Sequence, residues 1–135
     1  MDLTGKKVYI AGPMTGKPQF NRPVFFAAEA YLKERGALVM NPAVLPDGFS
    51  HQDYMSIAIP MMMTCEAVVF LPGWEKSQGA RQERMYAEAF ALDLLEVELG
   101  APVDGQPWVR GLRVVGEGVT RRDIPVESVL EEQEA

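Results

Sequence analysis

A chain of 135 residues with 47% hydrophobic content is long enough for one globular core and too short for two ordinary domains, so a single domain is expected over 1–135. A net charge of −6 argues against a nucleic acid polymer as partner, because such proteins carry a basic footprint. One cysteine, Cys65, and one histidine, His51, exclude an internal disulfide and a His/Cys metal cluster within the chain, so the expected chemistry rests on carboxylates, hydroxyls and backbone, with no metal or cofactor. No apolar run approaches the length of a bilayer span, and "MDLTGKK" lacks the apolar core of a signal peptide. A cytoplasmic protein with no membrane partner is therefore the expectation.

"KVYIAG" reads as a first strand. The stretch after it, "PMTGKPQFN", departs from both common phosphate loops. Gly12, Gly16 and Lys17 leave three residues where a P-loop has four, and Pro18 follows the lysine in place of Ser or Thr. A dinucleotide fingerprint fails because the middle glycine is missing. A turn with free backbone N–H groups remains, followed by a helix whose start is signalled by Asn21 and Pro23. It is either a plain strand-to-helix connection or an anion site.

Residues 22 to 35 place Val24, Ala27, Ala28, Tyr31 and Leu32 at helical spacing, and Gly36 has the position of a C-terminal cap. "ALVMNP" is a second strand, stopped by Pro42, with Asn41 either holding the turn or reaching a ligand. Ser50 and Asp53 suit a helix N-terminus, and the helix they open carries a stripe of Tyr54, Ile57, Ala58, Met61, Met62 and Cys65, with a kink expected at Pro60. His51 falls in its first turn, where solvation is expected, and Met61 to Met63 read as core and packing surface. "EAVVFLPG" is the third and most apolar strand. "SQGARQERMYAEAFALDLL" is a strong helix, "GAPVDGQPW" a loop, "LRVVG" a fourth strand, and the acidic tail from Asp123 a short terminal helix.

One residue breaks the pattern of the helix after strand three. Ala80, Ala87, Phe90 and Leu94 form an apolar stripe, and Glu83 falls on it, three residues after Ala80 and four before Ala87. An unpaired buried carboxylate is costly, so Glu83 is a candidate for a raised pKa and for catalysis; a partly exposed glutamate paired with Arg81 or Arg84 is the structural alternative. Alternating strands and helices imply a parallel sheet whose ligands bind outside the carboxyl ends of the strands. That crevice would be lined by "AGPMTG", "NPA" and "LPGWEKSQGA", with Glu83 overlooking all three.

"YIAGPMTG", "NRPVFFAAEAYLKERGALVMNPA" and "YMSIAIPMMMTCEAVVFLPGWEKSQGARQE" together resemble the phage and bacterial DUF4406 family, related to nucleoside 2-deoxyribosyltransferases and nucleoside 5′-monophosphate N-glycosidases. The resemblance extends over roughly residues 7 to 92, and the part from about 96 is divergent. It implies a flavodoxin-like (Rossmann-like) three-layer sandwich around a parallel sheet of about five strands. It also implies attack on the anomeric carbon of a nucleoside or nucleoside monophosphate, with Glu83 as nucleophile and Tyr9 beside it. Gly12, Met14, Thr15 and Gly16, together with Ser77 and Gly79, would hold the 5′-phosphate or sugar, and Asn41 and Trp74 would border the ligand, Trp74 by stacking a base or by anchoring its loop. A homodimer or larger homo-oligomer is implied as well.

Two positions depart from the family pattern. Relatives carry an aspartate eight residues before the acidic residue that precedes strand three; here that residue is Glu66 and eight before it stands Ala58, whose methyl cannot move a proton. Where transferases have another aspartate this chain has Ser77, which favours a phosphate-binding, hydrolase-like loop. Three functions follow as expectations: an N-glycosidic enzyme, a nucleotide-binding module that has lost turnover, or a subunit that serves assembly.

Overall fold

The computed structural model describes residues 1–118. Its elements follow the chain as β1 (Lys7–Ala11), α1 (Arg22–Glu34), β2 (Leu38–Met40), α2 (His51–Met63), β3 (Ala67–Phe70), α3 (Gln78–Ala89), β4 (Asp93–Leu99) and β5 (Val109–Gly116). They form one five-stranded sheet of order β2-β1-β3-β4-β5, parallel through β4, with β5 antiparallel to β4. This is the flavodoxin-like order, with its switch point between β1 and β3.

Alternation along β1 divides the core into two. Val8 and Ile10, with Val69 and Leu95, pack against Phe25, Ala28 and Leu32 of α1. Tyr9 and Ala11, with Val68 and Phe70, face Ala58 and Met62 of α2 and Ala87 of α3. Successive strand residues point to opposite faces, so these five-residue and four-residue central strands are buried on both sides and read as continuous apolar runs.

Local chemistry fixes the helix ends. The N–H groups of Gly36 and Ala37 bond the carbonyls of Lys33 and Leu32 at 2.9 and 3.1 Å, the Schellman pattern, with Gly36 at φ +85° as its left-handed residue. At the start of α2, Ser50 Oγ accepts from the Asp53 N–H and Asp53 returns the bond to the Ser50 N–H, both at 3.1 Å. Helix α2 continues through Pro60 to Met63.

The helix expected to reach Leu95 ends earlier. Helix α3 stops at Ala89, Phe90 is 49% exposed, and Ala91 takes φ +55° before the chain enters β4. Leu94, read as the last residue of a helical stripe, is buried on the sheet, and the strand "LRVVG" is the fifth rather than the fourth. The terminal helix expected from Asp123 lies outside the described residues. Among the described residues no helix is long and apolar enough to cross a membrane.

Candidate functional site

The carboxyl ends of β1 and β3, the N-termini of α2 and α3 and the loop before α2 enclose a cavity of about 1000 Å³. Glu83, the sixth residue of α3, lies on its wall and is only 6% exposed. The Tyr9 hydroxyl donates a short hydrogen bond to Glu83 Oε2. Burial pushes the Glu83 carboxyl from the ordinary 4.5 up to about 7, against the opposing pull of the Tyr9 bond. Tyr9 is itself held well above its ordinary value by burial and by the neighbouring carboxylate. A buried acid poised near neutrality in a cavity is what proton-transfer or nucleophilic chemistry needs.

The loop after β1 divides between packing and exposure. Gly12 lines the cavity, yet its other side sets its identity: a Cβ there would lie 2.7 Å from Cβ of Leu71. Thr15 and Gly16 form the tip of a turn closed by the Lys17 N–H on the Met14 carbonyl at 3.2 Å, with Gly16 at φ +81°. Met14, Thr15 and Lys17 line the cavity. Beyond them Gln19, Phe20 and Asn21 take left-handed φ of 53°, 53° and 62°, a conformation costing roughly 1–2 kcal/mol per non-glycine residue. Asn21 is pinned by its Nδ2 donating to the Pro13 carbonyl at 2.9 Å, and Phe20 is delivered to the cavity rim.

On the loop after β3, Ser77 caps α3, its Oγ accepting the Ala80 N–H at 3.2 Å. Ser77, Gln78 and Gly79 all line the cavity. The first N–H groups of a helix have no intrahelical partner, so this turn presents donors to an anion. Lys76 stands beside it and Lys17 faces it from the first loop; among the described residues neither has an ion-pair partner. Arg22, by contrast, is engaged: it donates to the Ala43 carbonyl at 3.2 Å and pairs closely with Asp47, tying α1 to the loop before α2.

Three expected ligand contacts lie off the cavity. Gly16 sits at the exposed turn tip, and Trp74 points toward β4. The Trp74 ring packs on Phe70 at 5.2 Å under the Arg84 guanidinium, and its Nε1 donates to Glu96 at 3.4 Å. It anchors the loop. Asn41 holds the turn after β2 by accepting the Ala43 N–H on Oδ1 at 2.9 Å, while its buried Nδ2 has no partner among the described residues.

Ala58 borders the cavity from α2, where no carboxylate faces Glu83 from that position. The same face of α2 brings in Met55, three residues earlier, which sequence reasoning left aside, and His51, seven residues earlier, which stands exposed in the first turn as expected while bordering the cavity. Their helical spacing from Ala58 was the available signal, as was the place of Lys17 and Lys76 in the two loops that follow β1 and β3. No three His, Cys, Asp or Glu side chains among the described residues are grouped to hold a metal ion.

The family described as a domain of unknown function, DUF4406, matches residues 6–96. No curated protein and no solved structure matches the chain.

Proposed function

From its membership of the DUF4406 family, to which the chain belongs, and from the geometry around Glu83, we propose that the protein is a nucleoside 2-deoxyribosyltransferase-like enzyme, cleaving the N-glycosidic bond of a (deoxy)nucleoside or nucleoside 5′-monophosphate. The observation that carries this reading is the buried Glu83 carboxyl on the cavity wall, poised near pH 7 and held by Tyr9. One oxygen of Glu83 accepts the Tyr9 proton donor, which leaves the other to attack the anomeric carbon. The carbon–nitrogen bond breaks, its electron pair departs with the base, and a glycosyl ester of Glu83 forms. Water or a second base then attacks the same carbon and frees the carboxylate. The donors of Ser77 to Gly79, with Lys17 and Lys76, suit a 5′-phosphate at the other end of the substrate.

The reading extends to a homodimer or larger homo-oligomer, supported by exposed apolar side chains on neighbouring helices: Ile57 and Met63 of α2, and Met85 and Tyr86 of α3. Light scattering on the purified chain tests that part. The activity is tested by incubating the protein with nucleosides and 5′-monophosphates and separating free base by chromatography. Release of base that is lost in Glu83→Gln is expected; no release from any substrate overturns the enzyme reading. In that event the second reading, a nucleotide-binding module without turnover, takes its place, and Ala58 is the observation that favours it.

A further inference from the structure

We infer that His51 donates the proton to the departing base, filling the role left open by Ala58; this rests on the N-glycosidic reading of the site. A nitrogen leaving group needs a proton as its bond to the sugar breaks, and the donor must stand within reach of Glu83 on the side of the base. His51 and Ala58 are seven residues apart, two turns, so they share the face of α2 that lines the cavity. The imidazole reaches across to α3, packing over Gly79: a methyl group on Gly79 would lie 3.5 Å from His51 Cε1. Gly79 precedes Glu83 by four residues, one turn of α3, or about 6 Å along the axis. Retaining glycosidases place nucleophile and proton donor about 5 Å apart, and a sugar between Glu83 and His51 would lie along this first turn of α3.

Three of the other candidate donors in the cavity are engaged, while Lys17 and Lys76 stand at the phosphate end and Glu75 is exposed on the loop after β3. Tyr9 is bonded to Glu83, and Asp47 is held by Arg22. The Tyr54 hydroxyl donates to the Pro46 carbonyl at 2.7 Å and accepts the Phe49 N–H at 3.2 Å. His51 has the opposite arrangement. Its Nε2 lies 3.2 Å from Gln82 Oε1 in an exposed contact, and an amide oxygen accepts, so Nε2 carries the hydrogen there. Nδ1 has no hydrogen-bond partner among the described residues. The imidazolium gives its Nδ1 proton to the base nitrogen as Glu83 attacks. The neutral ring, still bonded to Gln82 through Nε2–H, then takes a proton from the water that opens the glycosyl ester.

The test compares two substrates, deoxyguanosine 5′-monophosphate and its 7-methyl derivative, whose base departs neutral without an added proton. In a single turnover, which reads base release before water opens the glycosyl ester, His51→Ala should slow release from the first by roughly a hundred- to ten-thousand-fold and leave the second nearly unchanged. Added imidazole should restore part of the lost rate, which a packing role for His51 would not allow. Equal losses on both substrates, with no rescue, overturn the inference and leave the glycosidic reading standing. If the parent protein releases base from neither, that reading falls for purine nucleotides and the inference falls with it.

Discussion

Glu83 holds its proton because water has been taken from it, and that has a measurable consequence for stability. Its folded carboxyl titrates at about 7 against an ordinary 4.5, so between these values the folded chain binds more protons than the unfolded one. Stability therefore falls as pH rises through this window and is unaffected below it, by on the order of 3 kcal/mol in all. Glu83→Gln removes the titrating group. Its melting temperature relative to the parent should climb by on the order of 10 °C between pH 5 and pH 8, and a constant difference across that range would contradict the raised pKa. Glu83 was legible in the sequence because a carboxylate on an apolar stripe is an anomaly that periodicity exposes. Trp74 was not, since an aromatic residue in a turn carries no periodicity to say which way it faces. It turned to Phe70 and Glu96, away from the cavity.

Helix α2 lines the cavity with His51, Met55 and Ala58 and caps itself with Ser50 and Asp53, so one element borders the cavity on one face and secures its own stability at one end. Ala58→Asp would add a carboxylate near Glu83. In a His51→Ala background base release should rise, while stability drops by about 1–3 kcal/mol because two acids cannot both ionise cheaply in one buried site. Chromatography and denaturant melts on the same variant read both effects; a folded variant with unchanged release contradicts the assignment of that position. The first loop makes a different demand. Gly12→Ala would drive a methyl group to 2.7 Å from Leu71, so a loss of about 1–3 kcal/mol is expected even without ligand. A stable Gly12→Ala variant defective only in nucleotide binding would show that packing is not what requires the glycine. At this scale the sequence was clear where a cap or glycine marked an end, as at Gly36 and Ser50. It was opaque at Ala91, where the chain leaves α3 through a left-handed alanine that has no composition signal, and β4 was absorbed into the helix.

The whole molecule brings the loops after β1 and β3 together only because those strands are neighbours in the sheet, which no local pattern in either loop records. An anion held between them should stabilise the entire fold. A deoxynucleoside monophosphate at a hundred times its dissociation constant is expected to add about 2.7 kcal/mol, and Lys17→Ala with Lys76→Ala should remove most of that gain at the same concentration. An undiminished shift in the double variant would place the anion elsewhere.

The reversal of direction at β5 bears on time. A parallel fifth strand would have needed a long crossover, whereas β4 and β5 meet through residues 100–108 alone and pair Leu99 with Val109. Short hairpins close in about 1–10 μs, while β1 finds β3 only when Val8 meets Ala67 across α1, β2 and α2. The hairpin is thus expected to close before the centre of the sheet, with Leu94, Leu95 and Val97 then offering β3 an edge. Pulse-labelled hydrogen exchange during refolding should find β4 and β5 amides protected ahead of those of β1; the reverse order would mean that the sheet assembles from its middle outward.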